Sequence, residues 1–299
     1  MNIGRTIRMY LVDGSASGVI TAEIMNWTGH AVLGPRSKLK ELLAREEAQR
    51  TGIYLIYGPS PETGSETLYI GESDDVGKRI REHVADSKKD FFERICLLTS
   101  KDQNLTKAHV RYLESRLINL VVDAGRVELK NSTRPDLIGL PEADVSDMEF
   151  FIDQVSLILP ALGLNFLRTL SSRDTPESAL SSNQPMFELE SKKHGIKAEM
   201  QEIEGEFVVQ AGSSAQSQWI GARTNDGYPK LHSSLKEQGK LVASSGSLWT
   251  FCVDVPFKSP SAAAAVVLGR PSNGRQAWRV KGRKQTLGEW QNAELEGDS

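Results

Sequence analysis

The fold is indicated first by residues 51–71, which read TGIYLIYGPSPETGSETLYIG. Two runs in this stretch, 51–58 and 66–71, are rich in the β-branched and aromatic residues that strands favour. The segment between them carries two prolines and one glycine and therefore predicts a turn. We expect an antiparallel hairpin with a long loop, in which Tyr54 and Tyr69 lie on neighbouring strands.

Helix and strand signals follow this hairpin in order. Asp74 or Asp75 can cap a short helix, and residues 94–98 (RICLL) predict a third strand. Thr106 precedes a longer amphipathic helix, and Gly125 is placed to end it. These signals predict an α+β fold, in which a small antiparallel three-stranded sheet is flanked by helices.

Five side chains in this region have the chemistry of a hydrolytic site: Tyr54, Tyr69, Arg79, His83 and Glu114. The two tyrosines belong to paired strands, so their phenols should approach each other. Arg79 and His83 are four residues apart and share one face of the short helix. Glu114 lies within the longer helix. Taken singly, each residue has an ordinary structural explanation, but their joint order favours catalysis.

The order and spacing of these residues resemble the GIY-YIG endonuclease family, which includes excision-repair nuclease subunits, homing endonucleases and some restriction enzymes. The resemblance rests on Gly52-Ile53-Tyr54, Tyr69-Ile70-Gly71, the arginine ten residues after Tyr69, and Glu114. His83 is similar to the histidine of restriction-type members. The resemblance implies a DNA endonuclease that depends on Mg²⁺ or Mn²⁺, with RNA left open as a substrate.

Elementary chemistry assigns a role to each candidate. Glu114 is the expected metal ligand, because Mg²⁺ is commonly bound by one carboxylate together with waters and phosphate oxygens. Arg79 offers a forked cation for phosphate oxygens. Tyr54 could accept the proton of the attacking water if its pKa were lowered by Mg²⁺, Arg79 or His83. Tyr69 would orient the phosphate or the water, and His83 would take the proton onward or position Tyr54.

Two polar residues near this set are expected to contact nucleic acid. Lys78 stands beside Arg79 but points elsewhere on the helix, which suits a contact with the phosphate backbone. Asn131 lies in the polar turn from Lys130 to Pro135. We expect both to bind DNA.

Composition shifts along the chain predict five segments. They are an N-terminal β/α extension (1–50), the nuclease-like domain (51–168), a Ser- and Pro-rich linker (169–190), a small α+β domain (191–290) and a disordered acidic tail (291–299).

The C-terminal domain resembles a domain of unknown function that often follows such nucleases, mainly through residues 257–264 (FKSPSAAA) and Trp278. It also carries a basic stretch in which Arg275, Arg279 and Arg283 could bind phosphates while Trp278 stacks on a base. The competing interpretation is a solvated strand face with a tryptophan in the core.

Composition narrows the function classes. No run of about eighteen apolar residues occurs, and the N-terminus lacks the apolar core of a signal peptide, so we expect a cytoplasmic protein. The two isolated cysteines argue against a disulfide framework or a zinc site. The net charge of −3 counts mildly against nucleic-acid binding. A non-catalytic nucleic-acid-binding or regulatory module on a nuclease scaffold is therefore an alternative, and a protein-interaction adaptor is a third.

Overall fold

The computed structural model describes residues 4–60, 66–84, 91–132, 135–168, 185–203, 205–220, 227–244 and 248–296, with side chains to residue 293. The chain divides into two compact units, residues 1–169 and 170–299. Each unit has its own hydrophobic core. Most of the predicted linker, residues 169–184, lies outside the described residues.

The N-terminal unit is built from seven strands and four α-helices within its described part. The strands are β1 (Ile7–Leu11), β2 (Ile20–Ile24), β3 (Gly29–Pro35), β4 (Gly52–Pro59), β5 (Glu66–Ser73), β6 (Arg94–Ser100) and β7 (Glu128–Leu129). The helices are α1 (Leu39–Leu43), α2 (Val76–Val84), α3 (Lys107–Ala124) and α4 (Glu142–Ala161). A short 3₁₀ helix, Glu46–Gln49, precedes β4.

The strands form one sheet in the order β1-β2-β3-β6-β4-β5-β7, antiparallel except for the β5–β7 pair. The three predicted strands form its middle as β6-β4-β5, and the α+β class is confirmed. The β/α extension predicted for residues 1–50 contributes strands to the same sheet, because β3 pairs with β6 along its whole length, from Gly29–Ser100 to Pro35–Arg94. The expected three-stranded sheet is therefore the centre of a larger one.

Helices cover both faces of this sheet and give it two cores. On one face, α3 and α4 bury Ile53, Leu55, Leu68 and Ile70. On the other face, α1 and α2 pack over the face that carries Tyr54. The alternation of side chains along β4 assigns neighbouring residues to opposite cores.

The predicted ends of α3 are confirmed. The Thr106 hydroxyl accepts a hydrogen bond from the backbone N–H of His109, which satisfies one of the otherwise unpaired amides of the first turn. Gly125 ends the helix at a φ of 60°, a left-handed conformation that glycine adopts without steric cost. Both caps fix the register of the helix that carries Glu114.

In its described part, the C-terminal unit has two antiparallel sheets, in the orders β14-β10-β9-β8-β15 and β11-β13-β12. The strands are β8 (Met186–Ser191), β9 (Ile196–Ile203), β10 (Glu206–Val209), β11 (Ser214–Gln216), β12 (Leu241–Ala243), β13 (Leu248–Phe251), β14 (Val255–Phe257) and β15 (Arg279–Val280). The helices are α5 (Gly227–Glu237), α6 (Pro260–Leu268), α7 (Gly274–Ala277) and α8 (Leu287–Glu296).

Two predicted boundaries of this unit need correction. The linker was expected to reach residue 190, but β8 already begins at Met186 and pairs with β9. The tail was expected to be disordered from residue 291, but α8 continues to Glu296, and only 297–299 lie outside the described residues. Among the residues that the structure describes, no helix is both long and apolar enough to cross a bilayer.

Candidate functional site

The two tyrosines of the hairpin meet on the α2 face of the sheet. Tyr54 is the cross-strand partner of Gly71, and Tyr69 stands two residues before Gly71, so both phenols project from the same face. Their ring centroids are 6.2 Å apart in a stacked arrangement. Tyr54 is 1% exposed, whereas Tyr69 is half-buried. Tyr69 is thus the phenol nearer to solvent.

The absence of a side chain at Gly71 makes room for the Tyr54 hydroxyl. A Cβ atom at this position would lie 2.1 Å from the Tyr54 hydroxyl oxygen and 2.3 Å from the ring carbon that bears it. Such separations are far inside van der Waals contact. Glycine is therefore required here by the position of the Tyr54 ring, not by an unusual backbone angle.

Helix α2 brings His83 and Arg79 to the same hydroxyl. The Tyr54 hydroxyl and His83 Nε2 are hydrogen-bonded at 2.7 Å, and both side chains are buried. Arg79, one turn earlier, interacts with the Tyr54 hydroxyl while 46% of its side chain stays exposed. Its Nη1 donates to Glu82 at 2.6 Å. An exposed pair of this kind is worth little, so a phosphate can replace Glu82 as the partner of Arg79.

The position of α2 is fixed at its N-terminus. Asp75 accepts a hydrogen bond from the backbone N–H of Lys78 at 2.8 Å, as an N-terminal capping carboxylate does. At the second residue of α2, Gly77 lies so close to the preceding 3₁₀ helix that a Cβ would stand 2.8 Å from the Ala48 carbonyl oxygen. Residues before the hairpin therefore help to place Arg79 and His83.

Tyr54 was expected to accept the proton of the attacking water only if its pKa were lowered, and neither Arg79 nor His83 brings the pKa below its ordinary value. Burial, and next the neighbouring Tyr69, raise the pKa of Tyr54 well above its ordinary value. Arg79 acts in the opposite direction but does not prevail. The phenol is therefore neutral at physiological pH. If the Tyr54 hydroxyl accepts a proton, it must at the same time donate its own proton to His83.

Glu114 approaches from the other side of the sheet, on α3. Burial raises the pKa of this carboxyl to about 7, and the negative charge of Glu72 adds to the effect. Lys107, Arg111 and Arg79 oppose the shift. Glu114 and Arg79 are thus within electrostatic range of each other, although they sit on helices that cover opposite faces.

Three neighbours of Glu114 were missed by the sequence analysis: Glu72, Lys107 and Arg111. Lys107 Nζ bonds Glu72 Oε2 at 2.7 Å and lies 3.6 Å from Asp74 Oδ2. The signal for the two cations was present, since positions 107, 111 and 114 recur at helical spacing along α3. Glu72 directly follows Gly71 in the sequence, but only the packing of α3 on β5 shows that it faces Glu114.

The raised pKa of Glu114 has a consequence for stability. With a pKa of about 7 in the folded chain and about 4.5 when unfolded, its ionisation favours unfolding as pH rises between those values. We expect Glu114→Gln, measured in chelator, to raise the thermal stability at pH 8 by about 1–2 kcal/mol after allowance for solvent screening. The gain should fade towards pH 4.5. Thermal melts across this range test it, and an equal gain at both ends would contradict the assignment.

The structure gives Asn131 a role other than the expected DNA contact. Its side-chain oxygen accepts from the Ile70 N–H at 3.0 Å, and its side-chain nitrogen donates to the Ile70 carbonyl at 2.7 Å. The amide therefore continues the β5–β7 ladder as a backbone peptide would. Asn131 holds β5 in place next to Gly71. Lys78, by contrast, is exposed on α2, where a phosphate contact is feasible.

In the C-terminal unit, the residues of the basic stretch differ in their exposure and in their hydrogen bonds. Trp278 is fully buried, and its indole N–H donates to the Pro260 carbonyl at 3.1 Å, so the expected base-stacking role is wrong. Arg279 donates to the Lys284 carbonyl within its own turn. Arg275 and Arg283 are exposed. The competing interpretation, with the tryptophan in the core, is thus confirmed for Trp278. The arginines remain candidates for phosphate contacts.

Comparison with known proteins finds a family match for part of this chain. Residues 187–291, about a third of the chain, match a family described as a domain of unknown function, DUF4357. No curated protein and no solved structure matches the chain significantly. The match agrees with the resemblance predicted for the C-terminal domain. It assigns no activity and does not extend to the residues around Tyr54, so the C-terminal unit is similar to a family whose function is itself unknown.

Proposed function

We propose that residues 1–169 form a metal-dependent nuclease domain of the GIY-YIG kind that hydrolyses phosphodiester bonds in DNA. One observation carries the proposal. A single hydroxyl, that of Tyr54, is shared by His83, Tyr69 and Arg79. Burying the Tyr54 hydroxyl and the His83 ring is costly, and polar clusters with displaced pKa values occur preferentially at functional sites.

The charges around this cluster suit a phosphate. Arg79 and Lys78 are exposed on α2, and Lys107 and Arg111 are exposed on α3. A guanidinium binds two phosphate oxygens in a fixed fork, and the lysines add charge without strict geometry. The net negative charge of the chain does not oppose this, because phosphate binding depends on the local field.

The carboxylate of Glu114 fits a divalent cation. Burial and the negative charge of Glu72 disfavour the anionic form of Glu114. A bound cation would stabilise that form. In the described part of the chain no three His, Cys, Asp or Glu side chains form a metal-binding group. Mg²⁺ does not need one, since it keeps several waters and takes phosphate oxygens as ligands. When bound, Mg²⁺ or Mn²⁺ would supply electrostatic stabilisation of the phosphate in the transition state.

Residues of the chain then transfer the proton of the attacking water. As the Tyr54 hydroxyl receives a proton from the attacking water, its own proton passes to His83 Nε2. The phenol stays neutral throughout, as its raised pKa requires, and the histidine becomes cationic. Tyr69, half-buried beside both groups, orients the water or the phosphate.

We also propose that the C-terminal unit helps to hold DNA through Arg275, Arg279 and Arg283. All three arginines are exposed, and Arg275 and Arg283 have no acidic partner among the described ion pairs. Binding of this sort should weaken steeply as salt rises, because it releases counterions from the DNA.

The metal dependence tests the proposal directly. We expect nicking of supercoiled plasmid in Mg²⁺ or Mn²⁺ and none in excess chelator. Glu114→Gln should lose activity by on the order of 10²–10³, while Asp123→Asn, an exposed carboxylate of the same helix, should cleave normally. Full cleavage in chelator would contradict the metal role. A folded chain that binds DNA but never cuts it would instead favour the non-catalytic binding module.

A further inference from the structure

The edge of the large sheet carries an exposed apolar strand. Strand β1 is the outermost strand, and in the part of the chain that the structure describes its only strand partner is β2. Three consecutive large residues on it, Met9, Tyr10 and Leu11, are 43%, 62% and 37% exposed. Edge strands are normally protected by charged side chains, proline or a bulge. β1 has no proline and pairs with β2 without interruption, and its one charged residue, Arg8, is paired with Glu23 of the neighbouring strand.

This exposure arises because the helical layer ends before the edge. Met9 and Leu11 are cross-strand partners of Ala22 and Ile20, which are buried in the core beneath α3 and α4. Helix α4 packs on β2 and β3. The apolar face of β1 thus continues the core face of the sheet beyond the helices that cover it.

The outer flank of α4 is apolar as well. Glu149 on this helix bonds Arg116 of α3, so its neighbourhood marks the flank that faces α3. Phe150 and Leu157, seven residues apart on one face, lie on the flank turned away from α3 and are 50% and 43% exposed. Because α4 covers β2 and β3, that flank borders the β1 edge.

The sequence of β1 is complementary to itself. In an antiparallel pair of two β1 strands centred on Met9, Ile7 opposes Leu11, Arg8 opposes Tyr10, and Met9 opposes Met9. Each pair is apolar, or places a cation against an aromatic ring, and no like charges face each other. Arg8 also keeps Glu23 of its own sheet as a partner at 3.2 Å. This is the pairing that a two-fold interface requires.

We infer that β1 is the dimerisation edge of this protein, where a second copy of the chain adds its own β1 in antiparallel register about Met9. The two sheets become continuous, and the exposed flanks of the two α4 helices cover the apolar face at the junction. The unpaired main-chain groups of β1 gain hydrogen bonds, and its exposed side chains are buried.

Sedimentation equilibrium of the full chain tests the inference. Each chain has a mass of 33.0 kDa, and we expect a particle of twice that mass. Met9→Asp opposes two carboxylates on the two-fold axis and should weaken association on the order of 10²-fold. Val253→Asp, an equally exposed apolar residue of the C-terminal unit, serves as the control. A monomeric wild type, or a dimer that Met9→Asp leaves intact, would overturn the inference.

Cross-linking tests the register independently of stability. In a Cys252→Ser background, which removes the exposed native thiol, Met9→Cys should form an interchain disulfide under mild oxidation. Directly opposed residues have Cα atoms about 4.5–5.5 Å apart, within the range of a disulfide. Arg8→Cys should not cross-link, because Arg8 faces Tyr10 of the second copy. Efficient cross-linking at position 8 but not at position 9 would refute this register.

Discussion

Replacing Arg79 with alanine is expected to slow DNA cleavage by on the order of 10²–10³, while the chain stays folded. The loss corresponds to about 3–4 kcal/mol of transition-state stabilisation, by analogy with removal of one oxyanion donor. The fold should survive because the side chain is 46% exposed and its only described ion pair is with Glu82. Single-turnover cleavage rates and thermal melts measure the two quantities separately.

A matched control for this variant lies on the same helix. Arg81→Ala removes an exposed arginine two residues away, for which no contact with Tyr54 is described. It should cleave at nearly the wild-type rate. Arg79→Lys keeps the charge but loses the fork, so its rate should fall between those of Arg79→Ala and the wild type. Equal rates for the two alanine variants would show that the cluster around Tyr54 is architectural.

DNA affinity should respond to Arg79→Ala much less than rate does. Lys78, Lys107 and Arg111 remain, and they contribute charge whether or not the reaction proceeds. A change in binding as large as the change in rate would mean that Arg79 contributes uniformly to the bound state and the transition state.

The second large effect is expected at Gly71. In Gly71→Ala the new Cβ would lie 2.1 Å from the Tyr54 hydroxyl oxygen, so the buried ring must move. Its hydrogen bond to His83 is then lost or bent. Overpacking together with a disrupted buried hydrogen bond should cost about 2–4 kcal/mol of stability.

Cleavage by Gly71→Ala should fall even under conditions where the variant is fully folded, because the hydroxyl no longer meets Arg79 and His83. Gly139→Ala is the control, since a Cβ at that position has no atom within 4 Å. Chemical denaturation and plasmid nicking compare the two variants. If Gly71→Ala matches Gly139→Ala in both assays, then the placement of the Tyr54 ring is wrong.

Local patterns in the sequence determined the elements that carry the site. The β-branched and aromatic residues of 51–58 and 66–71 predicted the hairpin, and its pairing places Tyr54 diagonal to Tyr69. The four-residue spacing of Arg79 and His83 set them on one helix face, and Thr106 and Gly125 marked the ends of α3. These predictions succeeded because strand and helix periodicities depend on near neighbours alone.

Exposure and charge environment were decided by contacts between residues distant in the sequence. The pairing of β3 with β6 made one sheet out of two predicted parts, and burial raised the pKa of Tyr54, so that its phenol is neutral. For Trp278 the sequence left two interpretations open, stacking on a base or a place in the core, and the fold placed it in the C-terminal core.

The sequence by itself thus determined which residue types could form a phosphate-cleaving site and which of them share a face. Only the tertiary structure decided that Glu72 faces Glu114 and that the Asn131 side chain is hydrogen-bonded to the backbone of Ile70. The physical reason is that a pKa and a hydrogen-bond partner depend on desolvation and on charges brought together by folding. Those neighbours lie about 40–60 residues away along the chain, beyond the reach of any local periodicity.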